Sequence, residues 1–518
     1  MSPVGILNGS IETAEVQWID EQAERIASEA FSVDPPKTSN ALNAWLFSVL
    51  AFMSILPFWT VRYPVICDYP NHLARWFVLF HARDQAYQFS SYYTPAWGPL
   101  PYISTDLLAL ALQYFLPIDI AGRLVLTICI LSIPVGTLYF LKKACPENTP
   151  FALFAILVSF NPNLLMGSLS NQLSIAFCLL AVGLWIDYCQ QGKLTKALLL
   201  VTILVLLYLS HLIGFAIAGV VMGLYALFQP AKINKLLTLA AISLPSLILF
   251  AYNIAHAEGD TSFIYGWTLW NKLRNLVIPV RLLYSKPLDT IVLIALAAIL
   301  FSLLLRREYI KSQRVWMIIT GILILAYLVA PSEYHHGGYL DVRIMPFVYL
   351  FALAIFQVTK IPRVAVAGLT LLVLFRIATV EHMFLVKQPE LRSLSAAFEV
   401  IPRDARVLPI VSLQQYVKTT LVGQGGPHHW GYGVIQKGFL VPTIFHIPGV
   451  QPIRISATAY CPDTLCSFSD PKDVNWQKIS QNYDYIWLEK YPVLESAAAN
   501  WGDPIFRNNV LTVFRVRH

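Results

Sequence analysis

Charge is what this chain has least of. Lys, Arg, Asp and Glu make up 13% of its 518 residues, about half the share usual in soluble proteins, against 56% hydrophobic residues. Mean hydropathy is +0.58. Length alone would allow three or four soluble domains of roughly 150 residues each, but this balance excludes an ordinary cytosolic enzyme, a disordered scaffold and a coiled coil. A polytopic membrane protein remains. The seven cysteines show no zinc spacing. Cys129, Cys178 and Cys189 lie in apolar runs and read as small core residues, whereas Cys461 and Cys466, with four residues between them in a polar stretch, are open to a local disulfide outside the cytoplasm. A signal peptide is missing too. Residues 1–40 carry seven acids against Arg25 and Lys37, a net charge of −5 with no leading basic–apolar run, so they read as an acidic cytoplasmic tail. No internal repeat is visible, and with it the inverted halves of many secondary transporters.

What is present is a series of apolar runs near the roughly 20 residues that a spanning helix needs. They predict spans at 41–60, 121–141, 151–167, 171–189, 196–210, 212–229, 236–254, 289–305, 315–331, 343–358 and 362–380. A further run, 103–117, is bracketed by Pro101 and Pro117 and contains Asp106. If it stays outside as an interfacial or re-entrant helix, twelve bases from Lys142 to Arg363 fall in inner loops against Glu147 and Glu308. The positive-inside rule therefore favours eleven crossings, N-terminus cytoplasmic and C-terminus out. The net charge of +7 then reflects loops beside spans and not nucleic-acid binding. The chain divides into the tail 1–40, a membrane part 41–382 with outer loops 61–120, 255–288 and 332–342, and an outer region 383–518. That last region is only intermittently apolar, with strand-like runs Arg406–Ser412, Tyr483–Leu488 and Val510–Val516 and a helical stretch Leu391–Val400, and reads as a small α/β domain.

Polar groups collect on the outer face of this topology. Cys67-Asp68-Tyr69-Pro70-Asn71-His72-Leu73-Ala74-Arg75 follows the first span, and Pro70 suits the first turn of a helix. A carboxylate at Asp68 would sit at that helix's positive end, where it could take a proton from an acceptor hydroxyl with Asn71 or His72 beside it. The competing reading is an ordinary helix-capping Asp. Asp106 is either a second acid at the site or an interfacial residue. The loop 255–288 brings His256, Glu258, Asp260, Lys272, Arg274, Arg281 and Lys286. Bases on an outer face invite phosphate or anionic headgroups. The segment 332–343 adds Glu333, His335, His336, Asp341 and Arg343. Arg343 opens a helix where a phosphate could dock, unless it merely pairs with Asp341. His211 interrupts an apolar stretch at the same boundary, and Asn161, Asn163, Ser168, Asn171 and Gln172 lie on that side as well. No ligand spacing supports a divalent metal, although one is possible.

An acid soon after span one, a proline-flanked apolar helix, about eleven spans and an outer C-terminal domain resemble the GT-C superfamily. These are integral-membrane glycosyltransferases using polyprenyl-phosphate sugars, among them protein mannosyltransferases and lipid A aminoarabinose transferases. Asp68-Tyr69-Pro70-Asn71-His72-Leu73-Ala74-Arg75 looks like the Asp-x-Pro-Asn-His-x-Ala-Arg stretch of bacterial members. Tyr339-Leu340-Asp341-Val342-Arg343-Ile344-Met345-Pro346-Phe347 is similar to their outer-loop-to-helix segment ending in Arg. The resemblance implies inverting transfer from a polyprenyl-phosphate sugar to a hydroxyl on a glycan, lipid or protein acceptor at the outer face of a bacterial inner membrane. Asp68 would be the base, and Lys272, Arg274 or Arg343 would clamp the leaving lipid phosphate. Tyr69 stands where many members carry a second acid. Two other readings compete: a lipid or polysaccharide transporter, and an O-antigen-ligase or polymerase-like protein relying on Arg and His instead of an acid.

Overall fold

The computed structural model describes residues 40–256, 263–305, 310–334, 338–412, 426–456, 474–489 and 491–518. The acidic tail up to residue 39, Glu258, Asp260, His335, His336, Cys461 and Cys466 lie outside them. Six helical stretches among the described residues are long and apolar enough to cross a bilayer: Ile118–Ala144, Pro146–Met166, Leu169–Gln191, Lys232–Ala255, Lys286–Leu304 and Arg363–Glu399. Shorter apolar helices are Ala44–Trp59, Leu194–Ser210, Leu212–Leu227, Arg314–Val329 and Val342–Ala352. The chain is thus an α-helical membrane protein.

Sequence chemistry explains several boundaries. The run 196–229 divides at His211, whose backbone is extended (φ −168°, ψ 131°) and whose Nδ1 accepts the N–H of Ile213 at 3.1 Å, capping the second helix. The apolar run 103–117 forms a helix only over Ser104–Gln113. At 1.5 Å per residue that is about 15 Å, half a bilayer core. The expected span 343–358 is shortened. Its helical part ends at Ala352, and Phe356–Val358 instead pairs antiparallel with Ile310–Ser312. At the other extreme, Arg363–Ser395 is one 33-residue helix that joins the expected last span to the expected 391–400 helix.

The C-terminal region carries a four-stranded mixed sheet. Val407–Val411 runs parallel to Tyr485–Glu489, which pairs antiparallel with Leu511–Val516, and Gly502–Arg507 closes the edge. Three of these strands follow the apolar runs expected. The fourth escaped because Pro504 interrupts it, and proline is tolerated on an edge strand. Its sheet has a core of its own, with Leu408, Ile410, Ile486, Leu488 and Phe514, and also packs onto the helices. One hydrophobic cluster contains Leu73 and Trp76, Val125 and Leu126, Val380 and Phe384, together with Phe398, Trp430, Phe439 and Trp487. A short antiparallel pair, Tyr93–Pro95 with Ile453–Ile455, fastens the first loop to it.

Candidate functional site

The site is built on the helix Tyr69–Phe80 and on what packs against its first turn. Pro70 starts the helix, and Asp68 occupies the N-cap position. Its side chain makes no capping hydrogen bond, and its backbone is αR (φ −88°, ψ −4°) instead of the extended form of a capping residue. The capping reading therefore does not describe Asp68. The carboxylate, 26% exposed, faces His428 Nε2 at 3.5 Å. Its main chain is held from behind: Cys67 N donates to Leu165 O at 2.9 Å and Asp68 N to Met166 O at 3.0 Å. The turn 161–168 presents these carbonyls because Asn161 caps Pro162–Met166 and forms a two-way amide pair with Gln172 at 3.2 Å. Gly167 (φ 106°) ends that turn, where an added Cβ would lie 2.5 Å from the Cβ of Asp68.

The polar residues of the first turns divide by role. Asn71, fully buried, donates to Thr443 O at 2.9 Å and accepts from Phe445 N at 3.0 Å, so its amide stands in for a strand partner. Arg75 and Asp106 are nearly inaccessible (2% and 1%) and satisfy each other, Nε to Oδ1 at 2.7 Å and Nη2 to Oδ2 at 3.1 Å. That bond docks Ser104–Gln113 on Tyr69–Phe80 and keeps the Asp106 carboxylate paired and 1% exposed. Arg75 Nη2 also meets His72 Nδ1 at 3.1 Å. Because guanidinium only donates, Nδ1 accepts and Nε2 carries the hydrogen given to Gly167 O at 2.9 Å. Burial first, and the Arg75 charge second, hold His72 well below the ordinary histidine range, so it is neutral.

A second pair lies across from Asp68. Arg343 Nη1 meets His211 Nε2 at 3.0 Å, while His211 Nδ1 already accepts from Ile213 N. A neutral imidazole has one acceptor nitrogen, and here both nitrogens face N–H donors. The Nε of Arg343 is buried without any partner. Tyr102, in the left-handed region at φ 79°, stands edge-on to His211 with centroids 4.4 Å apart. Asp68 and Tyr102 are both close enough to act electrostatically on Arg343. An acceptor-rich anion lodged there would take the surplus donors of Arg343 and His211.

The remaining expected clamp residues are placed differently. Lys272, 5% exposed, gives its ammonium to the carbonyls of Tyr327 (3.1 Å) and Ala330, closing the C-terminus of Arg314–Val329, and lies 3.6 Å from Asp341. Asp341 therefore pairs with Lys272, not with Arg343. Arg274 is exposed at the end of Leu269–Asn275, so the two bases face different surroundings. Glu333 sits on a two-residue strand paired with Phe263–Ile264, which stitches those two loops together. Sequence reasoning missed His428 altogether. The dense Pro427-His428-His429-Trp430 run was its one signal.

Cys67, Asp68 and His428 bring one sulfur, one oxygen and one nitrogen within 4.8 Å of each other, the one such group of three among the described residues. The set suits a zinc-like ion with an open position. Without an ion, burial and then the Asp68 charge raise the Cys67 thiol well above its ordinary value, so an ion bound there would displace its proton.

The arrangement of helices and C-terminal sheet matches solved structures of one membrane protein along most of the chain. The crystal structure of ArnT from Cupriavidus metallidurans bound to undecaprenyl phosphate matches with a TM-score of 0.54 at 9% identity, over 92% of this chain and 98% of that one. The apo structure of the same protein gives 0.55 and 10% over the same shares. No protein-family model and no curated protein sequence matches the chain. At this identity the likeness concerns the fold.

Proposed function

We propose that the protein is a polyprenyl-phosphate-dependent membrane glycosyltransferase that moves a sugar to an acceptor hydroxyl by inverting displacement. The observation that carries the reading is the Asp68 carboxylate: it sits at a helix N-terminus, caps nothing, and lies opposite donors left over on Arg343 and His211. The fold shared with a structure that holds undecaprenyl phosphate supports the lipid class.

In the proposed step Asp68 takes the acceptor's hydroxyl proton as its oxygen attacks the anomeric carbon. The bond from that carbon to the lipid phosphate breaks, and the phosphate leaves with both bonding electrons. Arg343 and His211 donate to the oxygens where that charge grows, the arrangement in which fixed donors help most. His428 orients Asp68. Eleven crossings, a cytoplasmic N-terminus, an extracytoplasmic C-terminal region and residence in a bacterial inner membrane belong to this proposal, as does the choice of glycan, lipid or protein as acceptor.

Two of the three charged residues that lie within or near apolar runs are fully engaged: Asp187 is held by Lys143 (2.8 Å) and Lys196 (3.0 Å), and Arg123 donates to Phe58 O and Arg62 O. Arg376 gives Nη2 to Val280 O and keeps Nε and Nη1 buried without partners. The test is native mass spectrometry of lipid retained by the full chain in nanodiscs, comparing wild type, Arg343→Ala and Asp68→Asn. Undecaprenyl phosphate kept by wild type and Asp68→Asn but lost by Arg343→Ala fits the proposal. Bulk phospholipid in all three, with no undecaprenyl phosphate, would sink it and bring the transporter reading forward. Sugar transfer retained by Asp68→Asn would favour a ligase-like mechanism without an acid.

A further inference from the structure

A cavity of about 450 Å³ opens where the first loop meets the C-terminal region, away from the Asp68 cluster. Gln88 and Tyr92 line one side; Asp404, Arg406, Asn482 and Asp484 line the other. Its size falls within the range of small-molecule sites, but its walls are far more polar than those of an apolar ligand pocket. Two carboxylates stand against one guanidinium, and that guanidinium is already committed: Arg406 Nη2 donates to Asp484 Oδ1 at 2.7 Å and Nε to Oδ2 at 3.3 Å. Asp404, held in the left-handed region at φ 56°, has a buried Oδ1 without a donor. The lining thus offers acceptors, amides and a tyrosine ring, and it repels anions. A hydroxyl-rich ligand that is neutral or cationic fits this chemistry, since each hydroxyl can both donate and accept.

The cavity is also wired to the first-turn cluster. Leu440 lines it, and three residues further on Thr443 O receives the Asn71 amide. Three residues of extended chain reach at most about 11 Å. Between them Tyr93, next to Tyr92, exchanges hydrogen bonds with Val441, its hydroxyl donating to Val441 O at 2.9 Å and accepting from Val441 N at 2.8 Å.

We propose that this cavity is a saccharide subsite that holds a non-anionic, hydroxyl-rich part of the acceptor at a remove from the Asp68 cluster, joined to it through residues 440–443. The acceptor role rests on the transferase reading above; saccharide binding itself does not. The test uses saturation-transfer NMR on the full chain in nanodiscs, with maltotriose, chitotriose and the trisaccharide of glucosamine as neutral and cationic probes and inorganic phosphate as competitor. Gln88 is exposed at the mouth, so Gln88→Trp fills the opening without removing a buried bond. At least one trisaccharide should show transfer, reduced fivefold or more in Gln88→Trp, with the melting temperature unchanged and phosphate without effect. No transfer from any trisaccharide, transfer that survives Gln88→Trp, or displacement by phosphate overturns the subsite. Retained undecaprenyl phosphate, measured on the same samples, separates the two ideas. Its absence with saccharide binding intact defeats the transferase reading alone, and its presence without saccharide binding defeats the subsite alone.

Discussion

Replacing Asp106 with Asn probes the most deeply buried ion pair at the site. Arg75 and Asp106 are 2% and 1% exposed and joined by two hydrogen bonds, and the Nη1 of Arg75 has no other partner to fall back on. Removing one partner of a buried pair costs about 3–5 kcal/mol because the other charge is left uncompensated. The Asn oxygen still accepts one N–H, which recovers about 1 kcal/mol. A net loss of about 2–4 kcal/mol follows. Arg75→Met with Asp106→Leu removes both charges, and such replacements are frequently neutral. The assay is thermal unfolding in nanodiscs followed by tryptophan fluorescence on wild type, Asp106→Asn, the two singles Arg75→Met and Asp106→Leu, and their double. Asp106→Asn should melt clearly below wild type, with the double variant recovering most of the difference. A single variant as stable as wild type, or a double variant that falls as far as the two singles combined, would refute the reasoning: the pair would then not be an isolated buried charge couple.

At the proposed phosphate seat, Arg343→Lys should weaken retention of undecaprenyl phosphate by tenfold or more in native mass spectrometry, because one ammonium cannot supply the fork of donors. Equal retention would remove Arg343 from the seat. Buried His429, hydrogen-bonded to Ser395 at 2.7 Å, is pushed down by burial to about 3. From its unfolded value near 6.5 down to about 3, the unfolded chain binds the extra proton, so stability falls on acidification across that window, by about 2 kcal/mol at pH 5. His429→Gln should flatten that slope in melts taken from pH 7 to 5, and an unchanged slope would count against it. Treatment with a chelator should leave lipid retention and transfer unchanged, since the proposed step uses Asp68 as a free carboxylate opposite Arg343 and His211. A loss restored by zinc would place a metal among Cys67, Asp68 and His428.

Local features of the site were readable in the sequence where one segment contains the whole cause. Asp68 ahead of Pro70 marked a helix start, and His211 marked a break, because capping and proline act within a few residues. Long-range partnerships were not readable. Asn71 bonds residues more than 370 positions away, and nothing near it in the chain announces Thr443 or Phe445. Lys272 was misleading for a related reason: a base in an outer loop suggests an anion, yet its ammonium was needed by the carbonyls ending another helix. The shortened 343–358 run shows the same limit. Its apolar residues continue into Phe356–Val358, and only the distant Ile310–Ser312 turns them into a strand.

Gly431 packs so tightly on Pro70 that a Cβ there would come within 2.4 Å of Pro70 O, and His428, three residues earlier, faces Asp68. Asn71 and His428 are separated by 357 residues of chain. At 5–20 residues per second, a ribosome needs roughly 20–70 s to travel between them. A nascent chain therefore has Asp68 in place long before it has His428, Thr443 or Phe445. The growing polypeptide passes through biogenesis with an incomplete centre, and an aborted product ending before residue 428 can never finish one. Synthesis past residue 445, and not the folding of the first helices, sets when the centre comes into being.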